Sequence, residues 1–223
     1  MKRAIFAVLA LVTATAAFAD HRVSHSFSTS AALGSARRLV VDVPAADVKI
    51  RNGAGDTIKV TGVVRRESDY DNMAKNQRIV DDASVMLYVG GADAIVRRKF
   101  GPNAQGWRAQ NHNTEWDLEI EVPPGVAVKV ETKYGDVAFN GTFGGIDVDL
   151  RAGDINIQTP RASVRELNAS VRVGEVHTHL GDRIIESEGV LPRQTKWTNK
   201  DVLAGSTVNA HATAGDVDVM LTQ

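Results

Sequence analysis

The chain has 223 residues, 26 Lys and Arg against 27 Asp and Glu, a net charge of −1 and no cysteine. That length suffices for one large or two small domains with real cores. Near-neutral charge with no basic block argues against nucleic acid and against an anionic membrane surface, and a chain without cysteine must be held by its core and sheet ladders rather than by disulfides.

Residues 1–19 read as a secretory leader. Lys2 and Arg3 form a charged start, Ala4–Ala16 a short apolar run, and Ala17-Phe18-Ala19 an A-x-A cleavage site. The run is too short for a membrane span, so no transmembrane segment is expected after cleavage. Asp20–Arg38 is Ser-rich and is expected to be a flexible lead-in. Leu39–Ile50 alternates apolar and polar residues around Ala46-Asp47, and a strand follows at Thr57–Val64. Between Ser68 and Asp82 the alternation stops. A short helix fits there, capped by Ser68 or Asp69 and carrying Ala74, Ile79 and Val80 as its apolar stripe.

Strands are expected at Ser84–Val89 and Asp93–Phe100. They lead to a loop, Gly101–Thr114, rich in Gly, Asn and Gln, that carries Trp107 and His112. An aromatic among amides suits sugar rings, by stacking and hydrogen bonding. Glu115–Val122 turns Trp116, Leu118, Ile120 and Val122 to one side and Glu115, Asp117, Glu119 and Glu121 to the other. Such alternation fits a solvated or edge-protecting face better than a catalytic carboxylate pair. Pro123-Pro124-Gly125 makes a turn and a natural boundary.

From Val126 onward one unit recurs: two alternating runs around a Gly-acid turn. The turns are Gly135-Asp136, Gly153-Asp154, Gly174-Glu175 and Gly215-Asp216, spaced by 18, 21 and 41 residues, with Ala46-Asp47 as an earlier copy. Before the turns stand Val128, Val130 and Thr132; Ile146, Val148 and Leu150; Leu167, Ala169 and Val171; Val208, Ala210 and Ala212. A period of 2 on both sides of a fixed turn means two short strands with one buried face each.

A repeat near 20 residues predicts an all-β fold built as a β-solenoid of stacked short strands, with an imperfect coil around Arg183–Val202. A β-sandwich of repetitive strands is the alternative, because periodicity does not distinguish stacking from hairpin pairing. The organisation expected is a leader at 1–19, the lead-in at 20–38, a β-rich part with one short helix at 39–122, and the solenoid at 123–223.

The acid after each turn glycine, Asp47, Asp136, Asp154, Glu175 and Asp216, could be a calcium ladder or a turn scaffold that bonds backbone N–H groups. Lys133, Arg151 and Arg172 lie three residues before three of these acids. They relieve carboxylate repulsion without metal, so the scaffold reading is preferred. His177 and His179 form an H-x-H pair that puts both imidazoles on one strand face, as zinc sites do. Their register between Val176 and Thr178 points them outward into a polar column, leaving zinc only if His211 joins. No nucleophile stands in a recognisable setting, and no phosphate-cradling loop occurs. No enzyme activity and no cofactor are therefore expected.

The runs L-V-V-D-V-P-A-A-D-V-K-I, E-I-E-V-P-P-G-V-A-V-K-V-E-T-K-Y-G-D-V, V-D-L-R-A-G-D-I-N-I and A-H-A-T-A-G-D-V-D-V resemble the DUF4097 group of bacterial exported, adhesin-like β-strand repeat proteins, from about Leu39 to Leu221. The chain departs from that pattern at Ala46 and at Glu175. The resemblance implies a β-solenoid and an envelope location, and brings no catalytic residues.

The expectation is an exported protein, periplasmic or extracellular, whose rigid surface binds an envelope glycan or protein. The ligand surface would be at Trp107, His112, His177 and His179. The alternatives are an assembly component that self-associates through its ends and an enzyme acting on polysaccharides.

Overall fold

The computed structural model describes residues 22–67, 72–104 and 114–223. The leader, the Ser68 and Asp69 caps, Trp107 and His112 lie outside these. In chain order come β1 (Arg22–Ala32), the strand pair β2 (Arg38–Asp42) and β3 (Asp47–Asn52), and β4 (Thr57–Glu67). Then follow helix α1 (Met73–Asp81), β5 (Ala83–Gly90), β6 (Asp93–Phe100) and β7 (Thr114–Val122). The repeated units are β8 (Ala127–Tyr134) with β9 (Val137–Asn140), β10 (Gly145–Ala152) with β11 (Ile155–Pro160), and β12 (Val164–Val173) with β13 (Val176–Leu180). After β14 (Arg183–Ile185) and β15 (Arg193–Thr198), the chain closes on the pair β16 (Ser206–Ala214) and β17 (Val217–Thr222).

Each repeated unit crosses at its turn from one sheet to the other. The first strands join an eight-stranded sheet ordered β15-β12-β16-β10-β8-β2-β6-β5, and the second strands a nine-stranded sheet ordered β1-β4-β7-β3-β9-β11-β17-β13-β14. Residues that the period placed inward meet between the sheets. Val130, Val148, Ala210 and Ala169 fall in one register row across neighbouring strands, and each is at most 1 % exposed. A fully buried valine or isoleucine contributes about 1.5–3 kcal/mol, so such rows are a main source of stability.

The expected β-solenoid does not form. The fold is all-β, with two mixed sheets packed sandwich-like. The units do not follow one another in chain order: β16/β17, the last made, inserts between β10/β11 and β12/β13. Both sheets are finished by antiparallel pairings, β7–β4, β4–β1 and β13–β14 in one and β6–β5 and β12–β15 in the other. The stretch expected to be an imperfect coil is instead two edge strands, β14 turning back on β13 and β15 lying against β12. Alternation dictates a buried face and a turn; it does not dictate which strand covers which edge.

A second difference lies at the start. The expected lead-in is an eleven-residue strand, β1, paired with β4 along its whole length. Phe27 sits opposite Gly62, whose missing side chain leaves room for the ring. Phe27 then packs at 6.1 Å from Trp116. Helix α1 packs on β1 and β5, the outer strands of the two sheets, and closes that end of the core with Ile79 and Val80. Among the described residues no helix is long and apolar enough to cross a membrane.

Candidate functional site

The turns come first, because they set the register of everything beside them. Asp47 Oδ1 accepts a hydrogen bond from the Asp136 backbone N–H at 2.9 Å, and Asp136 Oδ1 accepts from Asp154 N–H at 2.9 Å. Asp154 Oδ1 accepts from Asp216 N–H at 2.8 Å, and Asp216 Oδ1 from Glu175 N–H at 2.8 Å. Each carboxylate caps the turn of the next unit, in spatial rather than chain order. Backbone amides, not Lys133, Arg151 or Arg172, satisfy the four aspartates, and among the described residues those three cations form no ion pair with the turn acids.

The glycines obey the same ladder. A Cβ on Gly135 would lie 2.2 Å from the Ala46 carbonyl oxygen, and one on Gly215 1.9 Å from that of Gly153. Ala46 begins the ladder and has no preceding carbonyl to avoid. Glu175 ends it and has no following amide to cap. The two departures from Gly-Asp are the two ends of the stack.

Freed from capping, the Glu175 carboxylate accepts from Arg193 Nη1 at 3.1 Å and lies 3.2 Å from His177 Nε2. His177 is exposed and His179 half-buried on the outer face of the nine-stranded sheet, on either side of the buried Thr178. His211 lies on the outer face of the other sheet, its Nδ1 3.0 Å from Ser170 Oγ. The sandwich core separates it from His177 and His179, so no three-histidine centre assembles. Among the described residues no group of three or more His, Asp or Glu is placed to hold a metal ion.

The acids of β7 prove to be on a central strand, between β4 and β3, and not on an edge. Arginines on the flanking strands match them. Arg51 binds Glu119 at 2.7 Å and Glu121 at 2.6 Å, and Arg65 pairs with Asp117. These are cross-strand ion pairs on a solvated face.

Beside them an open groove of about 560 Å³ runs over the outer face of the nine-stranded sheet. Its floor is β9 and β11, with Ala138, Asn140, Asn156 and Gln158 pointing outward. Lys49, Arg51 and Glu119 stand on one side, and Asp218, Met220 and His179 on the other. Ala138, the smallest side chain of the lining, leaves the floor open between Lys49 and Arg51 on one side and Met220 and His179 on the other. Register aligns Lys49, Ala138, Asn156, Asp218 and His177 in one row. Arg51, Asn140, Gln158, Met220 and His179 form the next.

Among the described residues the side chains of Asn140, Asn156, Gln158 and Asp218 have no hydrogen-bond partner, and of the groove cations Arg51 is the one in an ion pair there. Donors and acceptors therefore face the groove unsatisfied by protein. Asn156, Gln158, Asp218 and Met220 hold, in their own units, the positions of His177 and His179, which the sequence marks only as an outward polar column. Of the anticipated ligand residues, His179 lines the groove and His177 flanks it. Asn140 and Met220 went unseen as site residues because nothing local marks them; their neighbours come from other units.

No family model matches the chain, so the resemblance to DUF4097 gains no support from one. No curated protein matches it either. Several solved structures align with it, three of which follow. A "putative cell adhesion protein" from Clostridium sporogenes ATCC 15579 is 11 % identical with a TM-score of 0.44, over 89 % of this chain and 100 % of that one. A "putative adhesin" from Parabacteroides merdae ATCC 43184 is 8 % identical with a TM-score of 0.29, over 60 % and 58 %. A "putative lipid binding protein" from Parabacteroides distasonis ATCC 8503 is 9 % identical with a TM-score of 0.23, over 89 % and 83 %. At these scores the alignments carry no weight for function, which has to be read from the groove.

Proposed function

We propose that this protein is an exported, non-enzymatic binding module that holds an envelope or extracellular partner in the groove over β9 and β11. The observation that carries the reading is the groove itself. Unpartnered amides and a carboxylate line a concave strip on a sheet whose strands are locked by the aspartate ladder. Binding sites are concave, with a few convergent polar groups on a rigid frame. Export rests on the leader at residues 1–19 and fits the absence of cysteine.

The test is retention of envelope components by the immobilised mature chain, with Ala138→Trp as the blocking variant. Ala138 is half-buried at the groove floor, so an indole there fills the depression without entering the core. Loss of the retained partner at an unchanged thermal midpoint is expected. Equal retention by both proteins would remove the groove from the account.

A second reading, self-assembly, has its own observation. Ile184, Val190 and Leu191 are 60 %, 84 % and 71 % exposed beside the edge strands β14 and β15. Apolar groups next to open strand edges favour strand addition. Concentration-dependent oligomers that Leu191→Asp disperses would support it; a monomer at all concentrations would end it.

A further inference from the structure

The groove has a chemical character that narrows its ligand, and the inference rests on the binding reading above. We infer that the Asn156 amide and the Asp218 carboxylate together read a pair of adjacent hydroxyl groups on an uncharged saccharide. The two residues are register partners on the neighbouring parallel strands β11 and β17. Their backbones are therefore about 4.8 Å apart and their side chains leave the same face. Neither makes a hydrogen bond to another described residue, and both line the groove. An ionised carboxylate only accepts, whereas an amide both donates and accepts. Neighbouring hydroxyls, each a donor and an acceptor, are the complement of that pair. A lone ammonium, which only donates, leaves the Asn156 N–H groups unpaired.

Charge selects against acidic ligands. Arg51 is the groove's strongest cation, and Glu119 and Glu121 already neutralise it at 2.7 and 2.6 Å. Lys49 remains on one side and Asp218 on the other, so the groove offers a balanced field and no cationic rail. A uronic acid seated at Asn156 would stand beside the Asp218 carboxylate and be repelled. Met220, 48 % exposed, stands two residues beyond Asp218 on the same strand face and gives an apolar surface against which the C–H face of a sugar ring can lie.

Chain order hides this site. Asn156 and Asp218 are 62 positions apart, and they meet only because β17 inserts beside β11.

The test uses the isotope-labelled mature chain titrated with neutral oligomers of β-1,4-glucose, β-1,4-N-acetylglucosamine and α-1,4-glucose, and with oligogalacturonate as the acidic counterpart. At least one neutral oligomer should shift backbone resonances at Ala138–Asn140, Asn156–Gln158 and Asp218–Met220. Asp218→Asn, which keeps shape and loses charge, should weaken it about tenfold, as loss of a charged hydrogen bond does. Asn156→Ala should weaken it similarly, with unchanged thermal midpoints for both.

Preference for oligogalacturonate, or binding indifferent to Asp218→Asn, overturns the inference while leaving the groove reading in place. If no oligomer shifts the groove resonances, the inference is likewise overturned. The groove reading then stands or falls on whether Ala138→Trp still loses the retained envelope partner.

Discussion

Gly215→Ala should be among the most damaging single-methyl additions in this chain. Gly215 has φ +123°, and an added Cβ would lie 1.9 Å from the Gly153 carbonyl oxygen and 2.7 Å from its carbon. Both are backbone atoms of the neighbouring turn, so no rotamer change relieves the contact. The β16–β17 turn has to move away from β10–β11. That stretches the Asp216 N–H bond to Asp154 Oδ1 (2.8 Å). It also stretches the ladder bonds Gly153 N–H to Ala214 O (3.1 Å) and Ile155 N–H to Asp216 O (2.9 Å).

A non-glycine residue in such a conformation costs about 1–3 kcal/mol, and a lost charge-assisted hydrogen bond about 1.5–3 kcal/mol. Together they predict a loss of about 2.5–6 kcal/mol in urea unfolding, with the denaturant slope unchanged. Gly34→Ala is the control. Gly34 also has positive φ, +57°, but nothing lies within 4 Å of its added Cβ, so only the conformational cost of about 1–2 kcal/mol applies. If the two variants lose equal stability, the close stacking of the turns is wrong.

Three further outcomes follow from the same geometry. Asp216→Ala should cost about 1–2 kcal/mol because Glu175 N–H loses its acceptor, whereas Glu175→Ala, which caps no turn, should cost under about 0.5 kcal/mol; equal losses in chemical denaturation would contradict the ladder. The Thr178 and Thr195 hydroxyls are buried without a partner, so Thr178→Val should be neutral or stabilising by up to about 1 kcal/mol in the same assay, and a loss above that would show that the hydroxyl has a role. Hydrogen bonding to Arg38 holds the Asp93 carboxyl below its ordinary value. A depressed folded value stabilises the fold above the ordinary carboxylate range, near 3.9, and that contribution disappears as pH falls through the depressed value. The coupling in an Arg38/Asp93 double-mutant cycle should therefore be flat from pH 5 to 8 and vanish toward pH 2; coupling that grows in acid would reverse the sign argument.

How much of this was legible in the sequence depends on distance along the chain. The strand pairs, their inward residues and the scaffold role of the acids follow from a local period of 2 and a fixed turn, and Val130, Val148 and Ala169 lie where that period puts them. Stacking order is non-local. Read as ladder geometry, Ala46 and Glu175 mark the two ends, although their departures looked like weakened copies of one motif. The 41-residue gap before Gly215 resembled two rungs, yet it holds the edge strands β14 and β15 and the return into the middle of both sheets.

The strand β1 was concealed by composition. Ser24, Ser26, Ser28 and Ser30 alternate with Val23, Phe27 and Ala31, but serine is a weak strand former and the stretch read as loose. The groove could not be seen at all from one unit, since its floor comes from two units and its sides from three others.

The insertion of β17 beside β11 is the claim on which both fold and site depend, and engineered cysteine pairs test it directly because the chain has none of its own. Asn156 and Asp218 are Cα partners on adjacent strands, about 4.8 Å apart and within disulfide reach. Asn156 and His177, which chain-order stacking would make neighbours, have Asp218 between them. At about 9.6 Å they exceed that reach. Under mild oxidation the Asn156→Cys/Asp218→Cys chain should close an intramolecular disulfide and the Asn156→Cys/His177→Cys chain should stay reduced. The opposite pattern would place β13 beside β11, and would contradict the fold and dissolve the proposed site with it.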